Sequence, residues 1–453
     1  MASNGQERVG SEVTTPVRPS EQANEAEKKS RCGLSPVARL IIAVVVGISF
    51  GLMLSSFGLD KKSPLVTLVA LPGKLWLKAL KCIVLPMIVF SMIGAMVMLR
   101  SLPGAKYLGF MVVGVYLLTT FVAAMEGCVV ASAILGPNVK EMAVEAAAAD
   151  VGVTQLTLLE TVVTMLSNLV PKNVVNDAAT NNLLPVIIAS IIFGLLVQDK
   201  KEDGTQSLTM GLIKELEQVV VKVITGLMTI TPLGVGSLVF GSAASLNFAE
   251  VGTNVGFHMA AVACGLVLHM FVFYPTLLLL VARRNPIPYY MNIVPAFATA
   301  LGTSSSAATL PVSISCAVEK NMISPHIANF VLNLGATINM DGTTIYLICA
   351  TYFLGMLHGV VFTAGKFLLL VLLGTLCSMG SAPLPSASLV LLVTILTSVG
   401  VPLNETFGLI TAVDWMLDRL RTTVNVAGDA CAAAIIDSRS SLGTKACCEP
   451  PEV

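Results

Sequence analysis

Apolar runs of membrane-spanning length fill most of the first 282 residues. They cover about residues 37–57, 64–99, 105–134, 182–198, 210–243 and 251–282. Because a helix of about 20 apolar residues crosses a bilayer, each run predicts a spanning helix. The stretch from 135 to 180 is less apolar, and we expect part of it to be loop.

A different pattern begins after Arg284, and it occurs twice. One apolar segment is interrupted by small hydroxyl residues at 303–309, and the next is broken at 335–343. A further apolar segment is interrupted at 378–388, and a polar stripe at 414–429 follows it. Interrupted apolar segments in corresponding halves of a membrane protein indicate a transporter site built from inverted repeats. We therefore expect an all-α membrane protein with about eight transmembrane helices plus two re-entrant helical hairpins.

Five polar residues near the C-terminus share one helical face. They are Asp414, Asp418, Arg421, Asn425 and Asp429, at intervals of 4, 3, 4 and 4 residues. On an α-helix this spacing forms a single narrow stripe. A charge at the bilayer centre costs at least about 2.5–3.5 kcal/mol, so such a stripe indicates a site for ions or a charged substrate.

The composition agrees with a membrane setting. Hydrophobic residues make up 55% of the 453 residues, charged residues make up 12%, and the mean hydropathy is +0.83. An ordinary soluble domain has about twice that charged fraction. The formal net charge is zero, and no basic run with aromatic residues argues for a nucleic-acid partner. The stripe lacks a nucleophile–base pair and the chain lacks the common hydrolase motifs, so we do not expect an enzyme.

Both ends of the chain are polar. Residues 1–35 end in a basic cluster at 28–31, which predicts a disordered cytosolic tail because basic residues favour the cytosolic side. Residues 438–453 are expected to form a second cytosolic tail. The transporter domain between them would cover residues 36–437.

The break at 335–343 carries candidate cation ligands. Asn339 and Asp341 are two residues apart, so both reach one site only if the helix unwinds, which Gly335 and Gly342 favour. An unwound turn frees backbone carbonyls, which membrane proteins tolerate where they line a cavity. Carbonyl and carboxylate oxygens suit a hard cation such as Na⁺.

The serines Ser304, Ser305 and Ser306 are expected at the tip of the first hairpin. The N–H groups at the start of the following half-helix would attract an anion such as a carboxylate. Arg421 offers the fork that binds a carboxylate through two bonds, and Asp418 suits an ammonium group. Together these residues favour an amino acid with an acidic side chain.

Two kinds of polar residue lie outside these constellations. Arg419 is off the stripe, and we expect it to have a structural partner. The four histidines, His258, His269, His326 and His358, show no metal-ligand spacing and are interpreted as packing or loop residues.

The chain resembles the dicarboxylate/amino acid:cation symporter family from about residue 36 to 437. This family includes the excitatory amino-acid transporters, the neutral amino-acid exchangers and the archaeal aspartate transporters. The resemblance is carried by the serine-rich hairpin that ends in Thr309-Leu310-Pro311, the motif Asn339-Met340-Asp341-Gly342-Thr343, and the stretch from Asp414 to Asp429.

The resemblance implies an architecture and a setting. It implies a homotrimer in which a scaffold carries transport domains that move like elevators. The scaffold helices would cover about 36–99 and 135–243, and the transport domain about 105–134 and 251–437. No cofactor is implied, Na⁺ is the coupling ion, and the expected location is the plasma membrane, crossed many times with both termini in the cytosol.

The resemblance also implies roles for individual residues. Asp418 would bind the amino group of the substrate, Arg421 with Thr343 its side-chain carboxylate, and Ser306 with Asn425 its α-carboxylate. The implied substrate-binding set is Ser304, Ser305, Ser306, Thr343, Asp418, Arg421, Thr422 and Asn425. A first Na⁺ site would use the carbonyls of Gly335, Asn339 and Asn425 and the carboxylate of Asp429. A second would use Thr337 and Met340 with the backbone of Ser378, Met379 and Ser381. A third would use Tyr116, Thr119, Thr120, Asn339 and Asp341, with Asp414 supporting it from behind.

The sequence departs from the family pattern at several positions. Tyr346 is followed by Leu347, where acidic amino-acid transporters of animals carry a glutamate tied to proton and K⁺ coupling. We therefore predict Na⁺ coupling without proton symport through this position. Ala307 replaces a serine that relatives often have. Pro383 and Ser388 stand where glycines are usual, and because proline fixes φ and removes a donor, this hairpin is expected to open differently.

The leading interpretation is Na⁺-driven symport of L-aspartate or L-glutamate, and four alternatives stay open. A neutral amino-acid exchanger would lack Arg421, and a carrier of four-carbon dicarboxylates would not need Asp418. A substrate-gated anion channel is a third alternative, because relatives conduct anions between scaffold and transport domain. A non-transporting sensor is a fourth alternative, and the altered second hairpin is the reason to consider it.

Overall fold

The computed structural model describes residues 36–56, 63–100, 106–139, 163, 167, 170–171, 173–180, 183–199, 205, 207–245, 248–379, 381 and 386–440. These residues form helices and short connections, and no strand occurs among them. The predicted N-terminal tail, most of the predicted C-terminal tail, most of the expected loop at 135–180 and Pro383 lie outside the described residues.

Helices occupy the predicted spans in the first part of the chain. They are α1 (Pro36–Ser56), α2 (Pro64–Arg100), α3 (Lys106–Asn138), α4 (Val174–Ala179), α5 (Leu183–Leu196), α6 (Leu208–Thr229), α7 (Thr231–Ser245) and α8 (Phe248–Leu268). The apolar run expected at 210–243 is divided into two helices, α6 and α7, which meet at a bend of 54°. Pro232 explains the bend, since proline has no N–H for the helical ladder and its ring clashes with the preceding turn.

A second proline changes the helix that follows. After α8 the chain passes through a π-helical turn, His269–Phe273, and continues as α9 (Tyr274–Leu280). Pro275 stands just past this turn, and the wider turn accommodates its missing donor and bulky ring. This irregular turn points His269 and Tyr274 into the protein, where both side chains are fully buried.

The second part of the chain contains both predicted helical hairpins. The first pairs α10 (Pro286–Thr303) with α11 (Ser306–Ser315), which ends in a π-helical turn (Cys316–Lys320). The second pairs α14 (Ala364–Ser378) with α15 (Ser388–Val399). Between them lie α12 (Pro325–Ile338) and α13 (Asp341–Leu357), and after them α16 (Phe407–Arg439).

The described helices pack as a central group and a peripheral group. α13 is buried along almost its whole length and packs against α3, α8 and α16, while both hairpins also contact this centre. The peripheral group consists of α1, α2, α5, α6 and α7, and α1 lies directly on α7. At their crossing a Cβ on Gly236 would stand 2.9 Å from the carbonyl oxygen of Ala43, so only glycine allows this approach.

Several helices have the length and composition to cross a bilayer. Within the described residues, four meet this condition alone: Pro64–Gly94, Gly109–Asn138, Gly252–Leu280 and Pro325–Leu357. The bent pair of α6 and α7 makes a fifth if it counts as one span. α16 is 33 residues long but carries the charged stripe, so its composition sets it apart from these helices. The full number of eight stays a prediction.

Candidate substrate and cation sites

The helix break at the centre of the protein confirms the predicted unwinding. α12 ends at Ile338, α13 begins at Asp341, and the backbone between them is not helical, with φ and ψ of −100° and 88° at Asn339. The glycines have another function than the one predicted. A Cβ on Gly342 would lie 2.5 Å from the carbonyl oxygen of Arg421, and one on Gly335 would overlap the Asp429 carboxylate. Both glycines are helical and let α12 and α13 lie directly against α16.

A cavity opens where the first hairpin, the second hairpin, the break and α16 converge. Its empty space, part of which is open to solvent, measures about 270 Å³. It is lined by Ser304, Ser306, Met340, Thr343, Ser381, Ser388, Asp418, Arg421, Thr422 and Asn425. Seven of the eight predicted substrate-binding residues therefore share one cavity.

Ser305 is the predicted substrate residue that does not line the cavity. Ser304 adopts a left-handed conformation (φ 53°), which turns the chain sharply between α10 and α11. The Ser305 side chain then caps α11 by accepting a hydrogen bond from the Ala308 N–H at 3.3 Å. The Ser305 side chain therefore caps α11, whereas Ser306, the first residue of α11, lines the cavity.

Among the described residues that line the cavity, Arg421 is the only basic one, and its guanidinium contacts two carboxylates. Its guanidinium reaches Asp414 Oδ1 at 2.8 Å and Asp418 Oδ1 at 2.7 Å, and it lies over the Tyr346 ring at 4.2 Å. All four groups are buried. Asp414, which was predicted to support the third cation site from behind, pairs with Arg421 two helical turns away on the same stripe. Its role at that cation site stays a prediction.

Two further contacts fasten the surrounding elements to α16. Asp418 Oδ2 accepts the backbone N–H of Ser386 at 2.9 Å, which joins the second hairpin to the stripe. Asn425 Oδ1 accepts the N–H of Gly342 at 2.8 Å, and its amide donates to the hydroxyl of Thr343 at 3.3 Å. The stripe therefore organises the hairpin tip and the start of α13 around the cavity.

A second polar cluster surrounds Asp341, which is fully buried. The Thr120 hydroxyl donates to Asp341 Oδ1 at 2.6 Å, and the Tyr274 hydroxyl donates to Oδ2 at 2.7 Å. The Thr119 hydroxyl donates to Asn339 Oδ1 at 3.2 Å. Residues of α3 and of the break, far apart in sequence, thus meet as predicted for the third cation site. Tyr116, also of that set, donates its hydroxyl to the carbonyl of Val331 at 2.7 Å.

Some of the residues predicted for the first two cation sites also contact one another. The Asn339 amide donates to Asp429 Oδ1 at 3.1 Å, and Gly335 packs against the same carboxylate. The Ser378 hydroxyl accepts the N–H of Met340 at 3.2 Å, so the end of α14 touches the break. Of the remaining members, Ser381 lines the cavity, and the Thr337 hydroxyl donates to the carbonyl of Leu334 at 2.9 Å.

Sequence reasoning missed His269 and Tyr274 beside Asp341, and also Glu126, which contacts His269. His269 lies 2.7 Å from Glu126 through Nδ1 and 3.5 Å from Asp341 through Nε2, so it contacts two carboxylates and is more than a packing residue. No pattern in the sequence pointed to Tyr274. The only sequence signal was a glutamate and a histidine, each alone within an apolar helix.

The charges around the break do not balance. Among the described residues, Asp429 has no basic partner and Asp341 has only His269, although both carboxylates are buried. No three His, Cys, Asp or Glu side chains of these segments converge in a way that could hold a metal. The oxygens that do converge are hydroxyl, amide and single carboxylate groups, and this donor set fits Na⁺ better than a transition metal.

Arg419 has the structural partner that was predicted. Its guanidinium donates to the carbonyls of Leu301 and Gly302 at 2.8 and 3.0 Å, at the C-terminal end of α10. A cation there satisfies orphan carbonyls and complements the negative end of the helix dipole.

The helical architecture, the apolar spans and the buried charged cavity define a membrane transporter. The sequence matches the model of the "Sodium:dicarboxylate symporter family" over residues 37–439. The chain belongs to this family, whose members are transporters and not enzymes. It is 31% identical to "Excitatory amino acid transporter 2" of Homo sapiens, over 89% of this chain and 80% of that protein.

Two further relatives cover the chain similarly. "Excitatory amino acid transporter 3" of Mus musculus is 31% identical over 90% of this chain and 85% of its own length. "Putative sodium-dependent excitatory amino acid transporter glt-4" of Caenorhabditis elegans is 32% identical over 88% of each.

Proposed function

We propose that this protein is a Na⁺-coupled symporter of an acidic amino acid, L-aspartate or L-glutamate. The observation that carries the proposal is the pair of buried carboxylates, Asp341 and Asp429, beside a cavity that holds Arg421. A buried charge without a partner is costly, so cations must accompany the opening of this region to an anionic substrate. The names of the relatives point to the same substrate class.

The cavity offers complementary groups for each end of such a substrate. Arg421 suits the side-chain carboxylate, Asp418 suits the ammonium group, and Ser306 at the start of α11 with Asn425 suits the α-carboxylate. Asp418 and Arg421 contact each other at 2.7 Å, so a bound substrate must replace this ion pair with contacts to its own charged groups. An amino acid with one ammonium and two carboxylates can replace both halves of that ion pair, whereas a neutral amino acid satisfies only one.

The cation sites would use the clusters already described. Asp429 with Gly335 and Asn339 would form one, Asp341 with Thr120 another, and each contains a single carboxylate among neutral oxygens. The second predicted site, where Met340 meets Ser378, would be formed by backbone and hydroxyl oxygens. Binding of Na⁺ at these clusters would neutralise the carboxylates before an anion enters the cavity.

The division into two packed groups supports an elevator-type movement. The peripheral group, α1, α2, α5, α6 and α7, corresponds to the predicted scaffold, and the central group to the transport domain. α15 touches α2 and α16 touches α7, so the second hairpin and the stripe lie where the groups meet. We propose that the scaffold mediates a homotrimer in the plasma membrane, with both termini in the cytosol.

Uptake of radiolabelled L-aspartate into proteoliposomes tests the proposal directly. Wild type should accumulate aspartate only with an inward Na⁺ gradient, and Arg421→Cys should lose this uptake and accept serine or alanine instead. Arg419→Cys is the matched control, because Arg419 is on the same helix and contacts backbone carbonyls outside the cavity. Na⁺-dependent binding of aspartate without any uptake would contradict transport and favour a sensor.

Current recordings separate the symporter from the channel alternative. A symporter that moves net charge gives a substrate-dependent current proportional to isotope flux. A substrate-gated anion current that persists when flux is zero would favour the channel. No contact in the cavity favours the channel over the symporter, so the symporter is the function proposed.

A further inference from the structure

The cavity contains one buried hydroxyl that has no function in the fold. Ser388 is the first residue of α15, is 4% exposed and lines the cavity. Its Oγ has no hydrogen-bond partner among the described residues. Other hydroxyls on nearby helices bond to carbonyls four residues earlier, as those of Ser398 and Thr422 do. A buried polar atom without a hydrogen-bond partner costs free energy, because it has lost its hydration and gained no bond. A ligand that supplies the partner removes this cost.

The start of α15 lies at the end of the cavity where the charged stripe is. Two residues before Ser388, the N–H of Ser386 donates to Asp418 Oδ2 at 2.9 Å. The other oxygen of that carboxylate contacts Arg421 at 2.7 Å. Ser388 therefore lines the same cavity as Arg421, which would receive the side-chain carboxylate. The positive end of the α15 dipole lies there too, and Ala387 at the cap position offers no side-chain oxygen to neutralise it.

We propose that Ser388 is a specificity-determining residue, whose hydroxyl donates to the side-chain carboxylate of the acid bound at Arg421 and whose bulk selects aspartate over glutamate. This inference rests on the proposed function and narrows it. Ser388 lines the cavity, so its hydroxymethyl group occupies space that an additional methylene of the substrate would need. A single methylene decides about 10–200-fold in selectivity at a tight site.

Two substitutions separate the hydrogen bond from the bulk. Ser388→Ala removes the hydroxyl and keeps most of the volume, while Ser388→Gly removes both. Ser398→Ala is the matched control, because it removes a hydroxyl from the same helix that already bonds to Thr394. Binding of L-aspartate and L-glutamate to the purified full-length protein in saturating Na⁺ would be measured by titration calorimetry.

The two variants should differ in a defined way. Ser388→Ala should weaken aspartate binding by about 10-fold or more, which is the effect of losing a hydrogen bond to a charged group. Ser388→Gly should weaken aspartate binding similarly and strengthen glutamate binding, so that the ratio of the two affinities falls by about 10-fold or more. Ser398→Ala should bind both acids as wild type does. Melting curves in Na⁺ without substrate verify that each variant is folded.

The outcomes distinguish this inference from the proposed function. A wild-type protein that binds neither acid in Na⁺ would refute both. If wild type binds acids but prefers glutamate, or if both Ser388 variants keep the wild-type ratio, the role of Ser388 is refuted and the symporter remains. If Ser388→Ala does not fold, Ser388→Cys keeps the volume with a weak donor and should show the same loss of aspartate affinity.

Discussion

Replacing Arg421 by cysteine is expected to destabilise the folded protein, beyond removing a substrate contact. Arg421 is 1% exposed and is the shared partner of Asp414 and Asp418. Each pair, at a separation near 2.8 Å and an effective dielectric of about 20, has a gross attraction of about 6 kcal/mol. Most of this offsets the desolvation of three charges, so the pair itself adds little net stability.

The loss of the arginine is more costly than this net value, because two carboxylates stay behind in the interior. Breaking a buried ion pair by removing one partner costs about 3–5 kcal/mol. Asp414→Asn in the Arg421→Cys background removes one stranded charge and should restore about 1–3 kcal/mol of that loss. In the wild-type background the same change leaves Arg421 with Asp418 and should be mild.

The assay is a double-mutant cycle on thermal unfolding of the purified protein, with uptake measured in parallel. Arg421→Cys should melt well below wild type, Arg421→Cys/Asp414→Asn should melt between them, and neither should transport aspartate. Arg419→Cys, whose guanidinium contacts two carbonyls at an exposed position, should cost under about 1 kcal/mol. An Arg421→Cys protein as stable as wild type, or a second substitution that adds its own destabilisation, would refute the buried network.

Three further predictions concern single positions. Asp429→Asn should raise the Na⁺ concentration that supports half-maximal aspartate binding by about 10-fold or more, because it removes the only charge of that cluster; unchanged Na⁺ dependence would contradict the assignment. Ser305→Ala should cost about 1 kcal/mol of stability through loss of the helix cap and leave aspartate affinity unchanged, whereas Ser306→Ala should weaken binding. Leu347 is fully buried and cannot carry a proton. Leu347→Glu should therefore acidify the vesicle lumen during aspartate uptake more than Leu347→Gln does, and wild type should match Leu347→Gln. A pH-sensitive dye inside the vesicles measures this difference.

The polar stripe of α16 could be predicted because its signal is local. Helical periodicity alone places Asp414, Asp418, Arg421, Asn425 and Asp429 on one face, and all five are buried. The same periodicity allows the Asp414–Arg421 pair, because seven residues make two helical turns. It does not show whether a stripe residue faces a cation site or pairs with another residue of the stripe.

The break at Asn339 could be predicted, but the reason for its glycines could not. Glycine favours unwinding and also permits close approach, and the sequence looks the same in both cases. Only the position of α16 decides between them, because Gly342 lies within van der Waals distance of the Arg421 backbone. Contact between distant helices is the kind of information that periodicity and composition do not contain.

The cluster around Asp341 shows this limit most clearly, and it also distinguishes the two unbalanced carboxylates. Glu126 and His269 are 143 residues apart and each looks like an isolated polar residue on an apolar helix. Only the packing of the helices shows that His269 and Tyr274 contact Asp341. Both Asp341 oxygens already accept hydrogen bonds from the protein, one from Thr120 and one from Tyr274. Asp429 accepts one, from Asn339. A cation that binds Asp341 must compete with hydroxyl donors, whereas one that binds Asp429 gains a carboxylate with a free oxygen. We therefore expect Asp429 to contribute more to Na⁺ affinity than Asp341, although both are buried.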